Sequence, residues 1–232
     1  MQGLPHGLQG AGPLSDSGGR PRVRIWDAPT RIVHWAMAAL IPFSWWTATH
    51  DQLERHRASG YALLGLLLFR LIWGVAGSET ARFARFVKGP RAILAYLRGA
   101  GPAAAGHNPL GALSIVAMLA ALALQIGLGL FAVDEDGIES GPLSWRVDFD
   151  TARWAAGLHH KMFWLVAGLA ALHVAAILFY AIRRRRNLVT PMVTGRAQAE
   201  GEAPAMAPWW RAVIVAAVAA GLAWFVASGA RV

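Results

Sequence analysis

Five long apolar segments restrict what this chain can fold into more than any other feature of its sequence. They span roughly 31–49, 60–77, 109–132, 154–182 and 209–229. A helix needs about 20 residues to cross a hydrocarbon core about 30 Å thick, and each segment has that length or nearly so. Unpaired backbone groups are costly in lipid, so spanning segments are helices or closed barrels, and these runs lack the alternation of barrel strands. The sequence therefore predicts an all-α integral membrane protein with five transmembrane helices.

The residue counts exclude several other classes of protein. Hydrophobic residues make up 56% of the chain and charged residues only 15%, below the roughly one quarter that soluble domains carry. The chain has no cysteine, which excludes disulfides, thiolate-bound zinc or iron–sulfur clusters, and haem attached through a C-x-x-C-H motif. Histidine, which occurs eight times, is therefore the strong nitrogen ligand available for a metal.

The net charge of +9 reflects membrane topology and not nucleic-acid binding. Lys and Arg concentrate in the tail through Arg31, in 78–108 and in 183–208, which fall on one side of a five-helix arrangement. The positive-inside rule places that side, with the N-terminus, in the cytoplasm and places the C-terminus outside after the fifth crossing. The outer connection at 133–153 is acidic.

The same features set the predicted domain boundaries. Residues 1–22 are rich in Gly and Pro and have no apolar core, which indicates a disordered cytoplasmic tail and not a signal peptide. We predict a four-helix transmembrane domain at 23–196, a linker at 197–208 and an additional transmembrane helix at 209–232.

Four histidines carry the predicted chemistry. His159 and His173 are 14 residues apart in the fourth segment, so they share one helix face and lie about 21 Å apart along its axis. The alternating helix directions place His34 at the depth of His173, and His56 at the depth of His159. A b-type haem takes an axial imidazole on each side, and helical bundles build cofactor sites between facing helices. The sequence thus predicts two haem sites, His34–His173 inside and His56–His159 outside.

Each of these histidines also has an ordinary interpretation. A histidine at a helix end is commonly a hydrated interfacial residue, and His173 could instead make an interhelical hydrogen bond or relay protons. His160 lies about 140° from the face of His173, so it is not chosen as a ligand. A metal transporter would also use buried histidines but would normally add carboxylates, and these spans contain no Asp or Glu. Gln125 is interpreted as an interhelical hydrogen-bonding residue.

Several motifs, in order along the chain, resemble one family. They lie between about Val23 and Gly195 and read VRIWDAPTRIVHW, HRASGYALLGLLLFRLIWG, ARFARFVKGP, GHNPLGAL and LHHKMFW…ALHVAAILFY…RRNLVTPMVTG. The chain resembles the bacterial cytochrome b561 family, which includes the di-haem cytochrome b subunit of nickel–iron hydrogenases. The resemblance implies a four-helix bundle in the bacterial inner membrane, with two b haems ligated by His34, His56, His159 and His173. His160 and Arg57 stand where the family usually has acidic residues, and the fifth helix is outside the family core.

Three more side chains are candidates for contacts with haem propionates or a quinone: Arg31, Arg70 and His107. Arg31 lies one turn before His34, and Arg70 follows His56 by 14 residues, on the same face but near the inner surface. The alternative for both arginines is snorkelling to the interface. His107 belongs to GHNPLG, a motif whose role could equally be to begin the third helix.

The hypothesis that follows is transmembrane electron transfer between the quinone pool and an outer-face redox protein, such as a hydrogenase, another dehydrogenase or a c-type cytochrome. Two axial imidazoles on each iron leave no open position for oxygen. One alternative is a self-sufficient quinone oxidoreductase, for example one that oxidises superoxide at the outer surface. Another is a haem-free membrane anchor or transporter. The acidic outer connection favours a basic protein partner over an anionic substrate.

Overall fold

The computed structural model describes residues 22–98, 109–198 and 202–231. At 74% helix the chain confirms the predicted all-α class. Nearly all of the predicted tail, together with His107 and part of the predicted linker, lies outside the described residues. Within them the elements are, in chain order, β1 (Arg22–Arg24), α1 (Ala28–Thr49), α2 (Leu53–Ala76), α3 (Phe83–Phe86), α4 (Pro90–Leu97), α5 (Pro109–Phe131), α6 (Phe149–Arg183), α7 (Val189–Thr194), β2 (Arg196–Gln198) and α8 (Trp209–Ala227).

Among the described residues, four helices are long and apolar enough to cross a membrane: α2, α5, α6 and α8. Helix α1 is long enough at 22 residues, but polar side chains such as Arg31, His34 and Ser44 lower its hydropathy. It nevertheless lies along α2, and its two ends bond to opposite ends of the bundle. The Arg31 guanidinium donates to the Val193 carbonyl at one end, and the Ser44 carbonyl bonds His56 near the other.

Two aspartates begin helices of the bundle. Asp27 caps α1, where its Oδ1 accepts the backbone N–H of Thr30 at 2.8 Å, and a proline follows in the first turn. Asp148 caps α6 and accepts the N–H of Thr151 at 2.9 Å. The hydrogen bonds from Thr151 hold the pKa of the Asp148 carboxyl below its ordinary value, as expected for a carboxylate at a helix N-terminus.

The helices form a bundle in which α1 packs on α2, α2 on α5, and α5 on α6. Helix α6 returns to face α1, where the rings of Trp45 and Phe163 stack with centroids 5.7 Å apart. Strand β1 pairs antiparallel with β2, so the segment before α1 is tied to the segment after α7. The ring of four long helices is therefore closed both by side chains and by this short ribbon.

The two ends of the bundle differ in charge. We call one end the basic face; it holds β1, α3, α4, α7 and β2 and carries Arg22, Arg24, Arg82, Arg85, Lys88, Arg91, Arg183, Arg184, Arg185, Arg186 and Arg196. We call the opposite end the acidic face; it holds the connections between α1 and α2 and between α5 and α6, and it carries Asp51, Glu54, Asp134, Glu135, Asp136, Glu139, Asp148 and Asp150.

Helix α8 packs lengthwise against α2. Val215 and Ala219 join Phe69 and Trp73 in one buried cluster. Ala223 joins a second buried cluster with Leu63, Leu64, Leu67, Leu122 and Ile126. Small side chains allow this close approach, since packing between transmembrane helices depends on van der Waals contact and not on a hydrophobic driving force.

Both ends of α8 also bond to the bundle. Before the helix, the backbone N–H of Glu79 donates to the carbonyl of Ala205 at 3.0 Å. After it, the indole of Trp145 donates to the carbonyl of Gly229 at 3.2 Å. The fifth helix is thus part of the folded core of this chain, as a layer on α2.

Deleting residues 205–232 is expected to keep the predicted haems and to lower stability. The four candidate ligands lie on α1, α2 and α6, whereas the deletion removes a layer that covers Phe69 and Trp73. The measurements are the haem-to-protein ratio by pyridine haemochrome and the thermal denaturation midpoint in detergent. Loss of all haem from a variant that still inserts in the membrane would contradict this expectation.

Candidate functional site

The first histidine pair lies toward the basic face. His34 projects from α1 and His173 from α6, and their ring centroids are 6.2 Å apart. Both side chains are half-buried. The indole of Trp35 lies edge-on to His34, with centroids 5.2 Å apart, and its N–H donates to the Met192 carbonyl at 3.1 Å.

The second pair lies toward the acidic face. His56 of α2 and His159 of α6 have ring centroids 6.0 Å apart, and both are half-buried. His160 follows His159 directly but lies off the helix face that His159 and His173 share, and its side chain is exposed. The fold thus brings the four candidate histidines together in the two combinations that depth and helical phase predict; their role as ligands stays a prediction.

Both separations suit a metal held between two imidazoles. A metal–nitrogen bond to histidine is about 2 Å, and the ring centroid lies about 1 Å further, so a linear arrangement separates two centroids by about 6 Å. Within the described residues, no group of three or more His, Asp or Glu side chains could hold a metal ion by itself. Two imidazoles suffice for a cofactor that brings its own equatorial nitrogens, as haem does.

The imidazoles of the second pair are oriented by backbone carbonyls of neighbouring helices. His56 Nδ1 lies 2.9 Å from the Ser44 carbonyl in α1, and His159 Nδ1 lies 2.8 Å from the Gln125 carbonyl in α5. A carbonyl only accepts, so Nδ1 carries the proton and Nε2 keeps the lone pair that binds a metal. Among the described residues, neither His34 nor His173 has such a bond. The second pair is therefore the more firmly oriented.

Gln125 also contacts His159 through its side chain. Its amide Nε2 lies 3.3 Å from Nε2 of His159 and donates to that nitrogen's lone pair, so a metal bound there would replace this hydrogen bond. The Gln125 Oε1 is buried and has no hydrogen-bond partner among the described residues. The predicted interhelical hydrogen bond of Gln125 is therefore made by the backbone carbonyl as well as by the amide.

Arg31 offers a donor beside the first pair. Its Nη1 donates to the carbonyl of Val193, but its Nε is buried and has no hydrogen-bond partner within the described part of the chain. A buried unpaired donor of a charged group is costly, so an anionic group at this point would be stabilised. Because Arg31 lies one turn before His34, a haem propionate at this pair fits the unpaired donor.

Arg70 is buried in the packing between α2 and α3. Its Nη1 donates to the Ala81 carbonyl at 3.3 Å, and its guanidinium lies over the Phe83 ring, 4.8 Å from the centroid. The side chain is therefore held by protein groups, and the interpretation of snorkelling to water does not describe it. His107, the third candidate, lies outside the described residues.

Sequence reasoning did not single out three residues of this region. Asp27 accepts the indole N–H of Trp73 at 2.9 Å in addition to capping α1, and the DAP motif could have indicated the cap. Ser44 contributes its backbone carbonyl and a hydroxyl that lies 3.2 Å from the same Nδ1 of His56, and the carbonyl carries no sequence signal. Gly129 lies against the His159 imidazole.

Comparison with known proteins decides the class of cofactor. A family model described as prokaryotic cytochrome b561 matches residues 25–195. The chain belongs to this family. A probable Ni/Fe-hydrogenase B-type cytochrome subunit from Bradyrhizobium diazoefficiens is 23% identical over 221 residues, covering 78% of this chain and 87% of the relative. No solved structure matches the chain at a significant level.

Family membership identifies a multi-pass membrane cytochrome of the b type that transfers electrons across the membrane with haem b. This sets aside the haem-free anchor or transporter. Helix α8 lies beyond the matched residues, so the b561 bundle proper consists of α1, α2, α5 and α6 with their connections.

Proposed function

We propose that this b561 protein holds two b haems and carries electrons between the quinone pool and a redox protein at the acidic face. The axial ligands in this proposal are His34 with His173, and His56 with His159. The observation that carries it is the presence of two imidazole pairs, 6.2 and 6.0 Å apart between centroids, toward opposite ends of one bundle.

The residues of the chain divide the work between binding and orientation. Bound haem b supplies a one-electron redox couple. His56 and His159 present Nε2 because their Nδ1 protons are bonded to carbonyls of α1 and α5. Arg31 offers its unpaired Nε to a propionate beside His34. Along α6, the 14 residues from His159 to His173 correspond to about 21 Å, a separation that supports one site near each membrane surface.

The charge of the two faces supports an orientation. The positive-inside rule places the basic face in the cytoplasm, so the N-terminus is cytoplasmic and the end of α8 is periplasmic. In a bacterial cell the membrane between the cytoplasm and the periplasm is the inner membrane. The His56–His159 site is then the outer one.

The acidic face supports a basic protein as the partner. Arg57 pairs with Glu139, and Arg153 pairs with Glu135 at 3.0 Å, yet exposed carboxylates remain at Asp51, Glu54, Asp136, Asp148 and Asp150. Negative potential speeds encounter with a basic partner and slows that with an anion such as superoxide. The name of the Bradyrhizobium relative makes a hydrogenase-like dehydrogenase the first candidate, with a c-type cytochrome as the second.

An apolar cleft toward the basic face supports a quinone site there. It has a volume of about 510 Å³ and lies between α2, α3 and α5, lined by Leu71, Phe83, Ala84, Val87, Val116, Leu119, Ala120 and Ala123. An isoprenoid tail needs such a surface, and the Arg70 guanidinium lies over the Phe83 ring at its edge. Arg70, together with His107, would supply hydrogen-bond donors for the head group.

The haem proposal is tested by a reduced-minus-oxidised spectrum of the purified protein with a pyridine haemochrome assay. We expect a b-type α band and two haems per chain; a single haem per chain would overturn the two-site assignment. Purification in mild detergent then identifies a partner that travels with the protein.

The quinone site is tested by the rate of haem reduction by a quinol analogue. Ala123→Phe, which fills the cleft, Arg70→Leu and His107→Ala are expected to slow it several-fold while both haems are kept. Leu124→Phe is the matched control, because Leu124 is exposed on the same helix and does not line the cleft. Unimpaired reduction in all three variants would move the quinone site to the acidic face.

The two haems are expected to differ in midpoint potential, with the His56–His159 haem lower. Hydrogen bonds from Nδ1–H to carbonyls make both imidazoles stronger donors, which stabilises the oxidised iron, and the nearby carboxylates act in the same direction. A redox titration followed optically, with single-histidine variants to assign each component, measures the order. The reverse order would show that other groups dominate the potentials.

A further inference from the structure

We propose that Gly129 is a positioning residue for His159, and that the α5 turn from Gln125 to Gly129 is a seat for this imidazole. The inference rests on the proposed role of His159 as an axial ligand. It assigns to α5, which carries none of the four candidate ligands, the task of setting where one of them points.

A hydrogen bond to the Gln125 carbonyl holds the His159 imidazole in this seat. His159 Nδ1 lies 2.8 Å from the Gln125 carbonyl, which crosses from α6 to α5. In an α-helix this carbonyl also points toward the N–H four residues later, which is that of Gly129. The imidazole must therefore approach the helix over Gly129 in order to reach the carbonyl.

The seat also requires that residue 129 have no side chain, because the His159 ring occupies the space where a Cβ atom would lie. A Cβ atom built there would lie 2.9 Å from Cε1 and 3.1 Å from Nδ1 of His159. Carbon atoms in van der Waals contact are about 3.5–4.0 Å apart, so any side chain at this position would push the ring away from the carbonyl. Glycine is thus required by close approach here and not by backbone conformation.

The ring cannot move freely to relieve such a contact. It is half-buried, and it faces the His56 ring at 6.0 Å, which is itself bonded to the Ser44 carbonyl. A displacement of a few tenths of an ångström would lengthen the Nδ1–H bond to Gln125 and tilt the ring. A weaker bond to Nδ1 makes the imidazole a weaker donor, which favours the reduced iron.

The chain offers a matched control on the same helix. A Cβ atom built on Gly127 meets no atom of the residues that the structure describes within 4 Å. Gly127 and Gly129 are both glycines within α5, so the same substitution at either position changes the helix propensity by a similar amount. They differ in contact with His159.

The test compares Gly129→Ala and Gly129→Val with Gly127→Ala and Gly127→Val. The readouts are haem content, the midpoint potential of each haem and the low-spin electron paramagnetic resonance signal. We expect Gly129→Ala to raise the potential and alter the signal of the His56–His159 haem alone, and Gly129→Val to lose that haem. The Gly127 variants should match the parent protein, and the His34–His173 haem serves as an internal measure of folding.

Two results would overturn the inference. One is a Gly129→Ala variant with both potentials unchanged or both shifted equally; the other is a Gly127→Ala variant that behaves in the same way as Gly129→Ala. His159→Ala separates this failure from failure of the proposed function. If His159→Ala keeps both haems, the ligand assignment is wrong. If His159→Ala loses one haem while Gly129→Ala changes neither potential, only the positioning role of Gly129 is wrong.

Discussion

Replacing either histidine of one pair by alanine is expected to remove one haem and to leave the other in place. His34→Ala and His173→Ala should lose the haem toward the basic face, and His56→Ala and His159→Ala the one toward the acidic face. The reason is that each pair is complete in itself, at 6.2 and 6.0 Å between centroids, and the two are separated by about 21 Å along α6.

The measurement is haem content by pyridine haemochrome, with the potential of the remaining haem to show which one is left. His160→Ala is the control, since the exposed His160 differs from His159 by one position and should keep both haems. Loss of a haem in His160→Ala, with both kept in His159→Ala, would refute the argument from helical phase.

Replacing Asp27 by alanine is expected to destabilise the bundle by about 2–4 kcal/mol, the sum of a lost N-cap and an unpaired buried N–H. Asp27 is 3% exposed; its Oδ1 accepts the N–H of Thr30 at 2.8 Å and its Oδ2 the indole N–H of Trp73 at 2.9 Å. Trp73 is 1% exposed, so water cannot replace the lost acceptor.

Equilibrium unfolding in detergent measures this loss of stability, and Asp27→Asn separates the contribution of the N-cap from that of the bond to the Trp73 indole. Asparagine keeps an oxygen for the cap of α1 but turns an amide N–H toward the Trp73 indole, so we expect an intermediate loss. Asp136→Ala, at an exposed carboxylate, should be close to neutral. If Asp27→Ala were no less stable than Asp136→Ala, the buried bonds would contribute nothing.

The apolar segments predicted the long helices well but their first residues poorly. The segment 109–132 corresponds to α5 at Pro109–Phe131. The helix of segment 60–77 is expected to begin before that segment, near His56, and α2 begins at Leu53, whereas α6 begins at Phe149 and not at 154. Hydropathy indicates which part of a helix lies in lipid. Both α2 and α6 begin in polar sequence before that part, so hydropathy does not indicate their first residues. The start of α6 is set by the Asp148 cap, a signal of another kind.

The candidate site was predictable where it depends on single helices. Spacing along α6 puts His159 and His173 on one face, and alternating directions bring His34 and His56 to matching depths. The environment of Arg70 was not predictable, because depth and phase suited both a cofactor contact and snorkelling. The structure surrounds its guanidinium with the Ala81 carbonyl and the Phe83 ring, both from chain that follows the helix.

By itself the sequence determined the class, the helices and the pairing of histidines, because periodicity and length act within one helix at a time. Only the tertiary structure decided that Ser44 and Gln125 carbonyls orient the imidazoles of one pair, that Gly129 leaves room for His159, and that α8 covers α2. Backbone carbonyls are the same in every residue. Which of them meets a given ring depends on the distance and rotation between two packed helices, and no single segment encodes either.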